Sequence, residues 1–253
     1  MMIVPTHATA RCLSALLLGS MLLPAATAQD DPIKAALETA KERYDGEVTR
    51  YRVAIKEWLD KQEESARASG NRKGVDQAKA DRKEYEDRGR VPLNLPAATK
   101  KKYESARSAM EVALVGAVKS YTKAKQDAEA SAVSRELDAF RKKVKDEVNA
   151  ELVQVFESAP AKYLMSRKFE FGTAEKTYSI FTFKAKGEIA GSKHPNESSW
   201  TVENNLLVLK DPKGTASTIF TTVVALDGRI TLKGRFLLSK QGVIHELREV
   251  AKP

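Results

Sequence analysis

Ile33, Leu37, Ala40, Tyr44, Val48, Tyr51, Ile55, Leu59, Gln62 and Ala66 follow one another at spacings of 4, 3, 4, 4, 3, 4, 4, 3 and 4. The pattern repeats every eleven residues, so Ile33, Tyr44, Ile55 and Ala66 fall in line. At about 3.67 residues per turn, such a stripe runs nearly straight along a helix with a slight right-handed drift. A second arm carries the same period in Tyr103, Ala106, Met110, Leu114, Ala117 and Tyr121, then Ala128 and Ala132, with Lys125 its one polar position. Two helices of matched period can lie side by side over a long distance. The expectation is an antiparallel helical hairpin or three-helix coiled-coil unit over residues 29–160.

Local signals divide that unit. Asp31 caps and Pro32 suits a first helical position, so a helix opens there and closes at Gly70, where a left-handed residue is cheap. Its roughly 38 residues make a rod on the order of 55 Å long. A shorter helix is predicted over about Gly74–Asp87, folded back on the first. Gly89 to Pro96 contains two prolines and cannot be helical, so Val91, Leu93 and Leu95 are expected to pack over the helices as an extended strap. A third helix opens near Pro96 and is expected to run beyond Val155. Its stripe slips register between Ala132 and Val133, which marks Ser131–Ser134 as a candidate bend or second turn.

Residues 1–28 have the layout of a secretory leader: Arg11, an apolar run from Leu13 to Leu23, and Ala26-Thr27-Ala28 as the cleavage site. The run is too short to span a bilayer, which needs about 20 residues. The mature chain would begin at Gln29, in a secreted or periplasmic location, with no transmembrane segment after cleavage. The single cysteine, Cys12, lies inside the leader, and its neighbours do not suit lipid attachment. A mature chain of about 225 residues without cysteine excludes disulfides, thiol catalysis and cysteine-bound metal.

After Ser158-Ala159-Pro160 the period changes from about 3.6 to 2. Ile230, Leu232, Gly234, Phe236 and Leu238 alternate with Thr231, Lys233 and Arg235. Eight strands are predicted, near 168–171, 178–185, 188–190, 199–203, 206–210, 218–226, 230–238 and 243–250. The breaks are turn residues, among them Glu203-Asn204-Asn205, Asp211-Pro212-Lys213-Gly214 and Asp227-Gly228. Connections this short join neighbouring antiparallel strands. The fold class is therefore α+β: helices first, then an antiparallel β-meander over residues 161–253, as a curled sheet or a small open barrel.

The order of a leader, Tyr/Ala/Leu-striped helices and a meander carrying Ser199-Trp200-Thr201-Val202-Glu203-Asn204-Asn205-Leu206-Leu207-Val208-Leu209 resembles uncharacterised secreted proteins of planctomycete-type bacteria. The resemblance covers most of the mature chain. It implies the same helical-plus-β layout, with the Trp-x-Val and Leu-x-Val segments closing one hairpin. That family has no agreed activity, so no functional residue transfers.

Candidate chemistry is sparse. The mature chain has two histidines. His194 precedes a proline in a loop, and His245 shares a strand side with Leu247 and Glu249. Two groups of this kind could orient a base or supply half a metal site, but no third ligand or nucleophile motif accompanies them, and both histidines are read as surface or edge residues. Asp211 and Asp227 are turn formers, no glycine-rich phosphate loop precedes a helix, and Asn196-Glu197-Ser198 matches a glycosylation acceptor. No catalytic residue, cofactor or metal is expected.

Charge divides unevenly. Residues 29–160 hold 27 Lys and Arg against 25 Asp and Glu, while residues 161–253 hold 15 against 9. Lys184, Lys186, Lys233 and Arg235 are the candidate anion contacts of the β part. The expected function is a non-catalytic structural or interaction protein, a helical spacer presenting a β-module to a protein or envelope-polymer partner. A binding module for anionic polymer or carbohydrate is the alternative, and an unrecognised hydrolase the third. No nucleic-acid partner is expected; self-association through the helices is open. A shared basic face on the meander would favour the alternative, and scattered cations the first reading.

Overall fold

The computed structural model describes residues 31–191 and 195–251. Residues 1–28, which the sequence reading expects to be a leader, and His194 lie outside the described residues. The chain is an α+β protein; among the described residues five helices precede one eight-stranded antiparallel sheet.

Helix α1 (Pro32–Ala68) is capped by Asp31, whose carboxylate accepts from the backbone N–H of Ile33 and Lys34 at 2.9 and 3.1 Å. The same carboxylate accepts from the Tyr121 hydroxyl at 2.7 Å, which ties the start of α1 to the end of α3 (Ala97–Lys123). Beyond Gly70 (φ +67°), Asn71 caps α2 (Arg72–Arg88) by accepting from Gly74 N–H at 3.0 Å. Helix α2 folds back on α1, and Arg82 bridges Asp60 and Glu63.

The long arm from Pro96 breaks earlier than its periodicity predicts. Helix α3 ends at Lys123, and α4 (Asp127–Ser158) returns antiparallel. Lys125 adopts φ +58°, with Gln126 N–H donating to Tyr121 O and Lys125 N–H to Thr122 O. Paired bonds of this kind satisfy the last carbonyls of a helix when one residue takes the left-handed conformation. The polar gap in the stripe is therefore the turn itself, not a tolerated miss, and Ser131–Ser134 is unbroken helix. The register past the turn differs accordingly: Ala130, Val133 and Leu137 are buried, whereas Ala128 and Ala132 are exposed.

Helices α1, α3 and α4 enclose a core of Leu37, Tyr44, Met110, Leu114, Ala117, Tyr121, Val133 and Leu137. Tyr44 meets Phe140 edge-on at 5.4 Å, and Tyr51, half-buried, stacks on Tyr103 at 4.3 Å. Ile55 and Leu59 are buried with Leu95 of the proline-containing strap, where Val91 packs alongside and its carbonyl accepts from Gln154 Nε2 at 3.0 Å.

Helical structure continues past the expected boundary at residue 160. Pro160 opens a further helix, α5 (Pro160–Met165), because its fixed φ suits a first helical position. The strands are β1 (Lys168–Gly172), β2 (Thr177–Phe183), β3 (Ile189–Ala190), β4 (Ser199–Glu203), β5 (Leu206–Lys210), β6 (Ala216–Leu226), β7 (Arg229–Phe236) and β8 (Ile244–Glu249). Their order is β3-β2-β1-β8-β7-β6-β5-β4. The first strand pairs with the last, Phe169 opposite Glu249 and Phe171 opposite Leu247, so the sheet curls into a nearly closed barrel. Its seam falls between β3 and β4. A single bridge from Glu188 to Ser199 spans it, and Trp200 Nε1 donates across to the carbonyls of Lys184 and Glu188, both at 3.0 Å. Where β6 bulges opposite β7, the backbones approach closely: a Cβ on Gly234 would lie 2.5 Å from the Ile219 carbonyl oxygen.

Candidate functional site: the free end of the barrel

Strand alternation turns Phe169, Phe171, Phe181, Phe183, Trp200, Leu207, Leu209, Phe220, Ile230, Leu232 and Leu247 into one buried cluster. The aromatic rings interlock, Phe171 stacking on Phe181 at 4.6 Å and Phe183 meeting Trp200 at 5.3 Å. An eight-stranded barrel is just wide enough for side chains to fill it, and here they do.

The two ends of the barrel differ. At one end Phe156 of α4 and Tyr163 and Leu164 of α5 join the barrel core. Glu249 on β8 organises that junction. Its carboxylate accepts from the Tyr163 hydroxyl at 2.7 Å, from Arg167 Nε at 2.9 Å and from Ile230 N–H at 3.1 Å. Burial and the Glu249 carboxylate both raise the Tyr163 phenol, which stays protonated. Lys145 pairs with Asp227 and Asn149 accepts from Gly228 N–H, so α4 also grips the β6–β7 turn.

The opposite end carries the connections 173–176, 211–215 and 237–243, and residues 195–198 before β4. Beneath them lies a buried polar cluster: Glu197 before β4, Ser217 and Thr218 on β6, and His245 on β8. The Thr218 hydroxyl is 2.9 Å from His245 Nδ1 and 3.5 Å from Glu197 Oε1, and Glu197 Oε1 is 3.9 Å from the same ring nitrogen. The imidazole lies edge-on to Phe171 and tilted over Phe236, each at 4.7 Å. Burial pushes the Glu197 carboxyl up to about 7, with the Thr218 and Ser217 hydroxyls pulling the other way.

His245 is thus a buried residue, 3 % exposed, not the surface or edge histidine its sequence context indicates. It faces inward with Leu247 and Glu249 as alternation requires, yet Glu249 is engaged at the far end. The carboxylate beside the imidazole is Glu197, which the sequence presents only as the middle of a glycosylation pattern. Nothing local marks the pair, because strand pairing alone brings β4, β6 and β8 connections to one end. Chemically, Thr218 and Glu197 both address Nδ1. A nucleophile–base–acid relay uses the two ring nitrogens for two different partners, so these contacts do not form one.

The four candidate cations do not converge. Lys184 and Lys186 lie in the β2–β3 connection at the helix-bearing end, whereas Lys233 and Arg235 lie on β7 toward the free end, with β1 and β8 between. Lys233 pairs with the buried Glu246 at 3.0 Å, and all four are exposed. Among the described residues, no group of three or more His, Cys, Asp or Glu side chains is placed to hold a metal ion. Among the same residues, no helix is long and apolar enough to cross a membrane. Comparison with protein-family models and with curated proteins finds no match for this chain.

Proposed function

We propose that the chain is an exported, non-catalytic interaction protein in which a helical stem carries a small filled barrel and offers the barrel's free end to a partner. The observation that carries this reading is the asymmetry of the barrel: helices α4 and α5 occupy one end, and the connections 173–176, 211–215 and 237–243 lie at the other. A barrel packed with aromatic side chains has no chamber for a small substrate, and presentation of loops on a rigid scaffold is a common way to build a binding surface. The helical unit supplies the stiffness, since its core runs along α1, α3 and α4, with α3 antiparallel to the other two. Dispersal of Lys184, Lys186, Lys233 and Arg235 favours this reading over one broad polyanion-binding face. The leader at residues 1–28 and the resemblance to secreted planctomycete-type proteins agree with export to the periplasm or beyond.

The test is complementation of a gene deletion in the host. A variant with 173–176 and 237–243 replaced by Gly/Ser segments, and a wild-type melting profile, is expected to fail to complement. Full complementation by that folded variant would sink the reading. Mass spectrometry of exported protein is expected to find Gln29 at the N-terminus, and an intact Met1 would remove the case for export.

A further inference from the structure

Among the described residues, the rim of the free end combines exposed apolar side chains with unpaired cations. Leu237, Leu238 and Ile244 are 44, 47 and 50 % exposed. All three belong to the β7–β8 hairpin, whose Leu237 N–H donates to Ser217 O and so holds the hairpin against the start of β6. Arg235 is directly opposite Ile244 in the register, Lys240 is in the same hairpin, and Lys213 is in the adjoining β5–β6 turn. Among the described residues none of these three cations is ion-paired, in contrast to Lys233, Lys210 and Arg248 on the barrel wall, each held by a carboxylate. Besides the buried Glu197 and Glu246, two acids share this end, Glu175 and Asp211, and the Asp211 carboxylate is turned into its own turn, accepting from Lys213 and Thr215 N–H.

We infer that this hairpin docks on an anionic lipid surface, seating Leu237, Leu238 and Ile244 at the acyl boundary while Arg235, Lys240 and Lys213 meet the headgroup charges. The inference rests on the reading of the free end as the presented surface and names the chemistry of its partner. Apolar side chains ringed by cations match the layered chemistry of a bilayer interface, where apolar burial and attraction to acidic lipids add together. A soluble polyanion would use the cations but offer nothing to the leucines.

The experiment is vesicle flotation with the chain beginning at Gln29, which contains every described residue. One set of vesicles is phosphatidylcholine alone, and the other equal parts phosphatidylcholine and phosphatidylglycerol. The protein is expected to float with the second set only, and less as salt rises. Each cation near such a surface contributes about a fivefold gain at low salt, so Arg235→Gln, Lys240→Gln and Lys213→Gln together should weaken partition roughly a hundredfold. Leu237→Ser with Leu238→Ser should weaken it at least about tenfold. Lys184→Gln with Lys186→Gln, at the other end, should change nothing. Equal flotation with both vesicle types, or none with either, would overturn the inference. So would loss on removing the cations but not the leucines, with displacement by soluble anionic polysaccharide, because that describes a polymer site. Absence of flotation beside failed complementation by the loop-replaced variant would remove the lipid and leave the interaction reading standing.

Discussion

Glu197→Gln is the most informative single change, because its sign depends on pH. The Glu197 carboxyl is 2 % exposed, and burial raises it from an ordinary 4.5 to about 7. Between those values the folded protein keeps a proton that the unfolded chain releases. Stability from this group is therefore complete below about pH 4.5 and is lost as pH rises through about 7. A gap of about 2.5 in pKa, at about 1.36 kcal/mol each, corresponds to about 3 kcal/mol lost between pH 4.5 and pH 8. Glutamine has the shape of the neutral acid and carries no charge at any pH. The variant should match the wild type within about 1 kcal/mol at pH 4.5 and exceed it by about 2–3 kcal/mol at pH 8. Urea unfolding at several pH values, followed by circular dichroism, measures the difference between the two proteins. Titration of groups remote from Glu197 enters both proteins and largely cancels. Parallel pH profiles, or a variant weaker at pH 8 than at pH 4.5, would refute the argument by placing a compensating positive charge on the carboxylate.

Three further expectations follow from the packing. Ile55→Asp places a charge where Ile55 is 1 % exposed among Leu59 and Leu95, and should cost about 4 kcal/mol or more in a thermal melt. Lys125→Gly should stabilise by about 0.5–1 kcal/mol, because glycine adopts the observed φ of +58° without a side-chain clash, and hydrogen exchange should slow at the α3–α4 turn. Glu249→Gln keeps the outline of the carboxylate that receives Tyr163, Arg167 and Ile230 but removes its charge; urea unfolding should register a loss of about 2–3 kcal/mol.

Periodicity carried most of the architecture. The eleven-residue stripe of α1 is a local property, because each apolar residue meets the core through the same helical geometry wherever the partner helix comes from. The alternation in 168–250 is equally local, and both the number of strands and their turns could be read from it. Asp31, Gly70 and the two prolines before α3 act within a few bonds of their own backbone, so the ends they mark could be read as well. Lys125 was not legible as a turn, since lysine has no preference for φ above zero and the stripe resumes beyond it. Only packing of α4 back on α1 and α3 compensates for that conformation.

What tertiary structure alone decided is which distant residues meet. Closure of β1 on β8, the seam at β3–β4 bridged by Trp200, and the plug of α5 all depend on the curvature of a finished sheet, for which no short stretch holds a signal. The same holds for Glu197, Thr218 and His245. Each is an ordinary residue in its own segment, and the cluster exists because strand pairing delivers three separate segments to one buried end. Burial then changes the chemistry: a carboxyl that the sequence presents as an exposed member of a glycosylation pattern becomes an acid that titrates near neutrality, because the water that would have solvated its charge is excluded by the barrel around it.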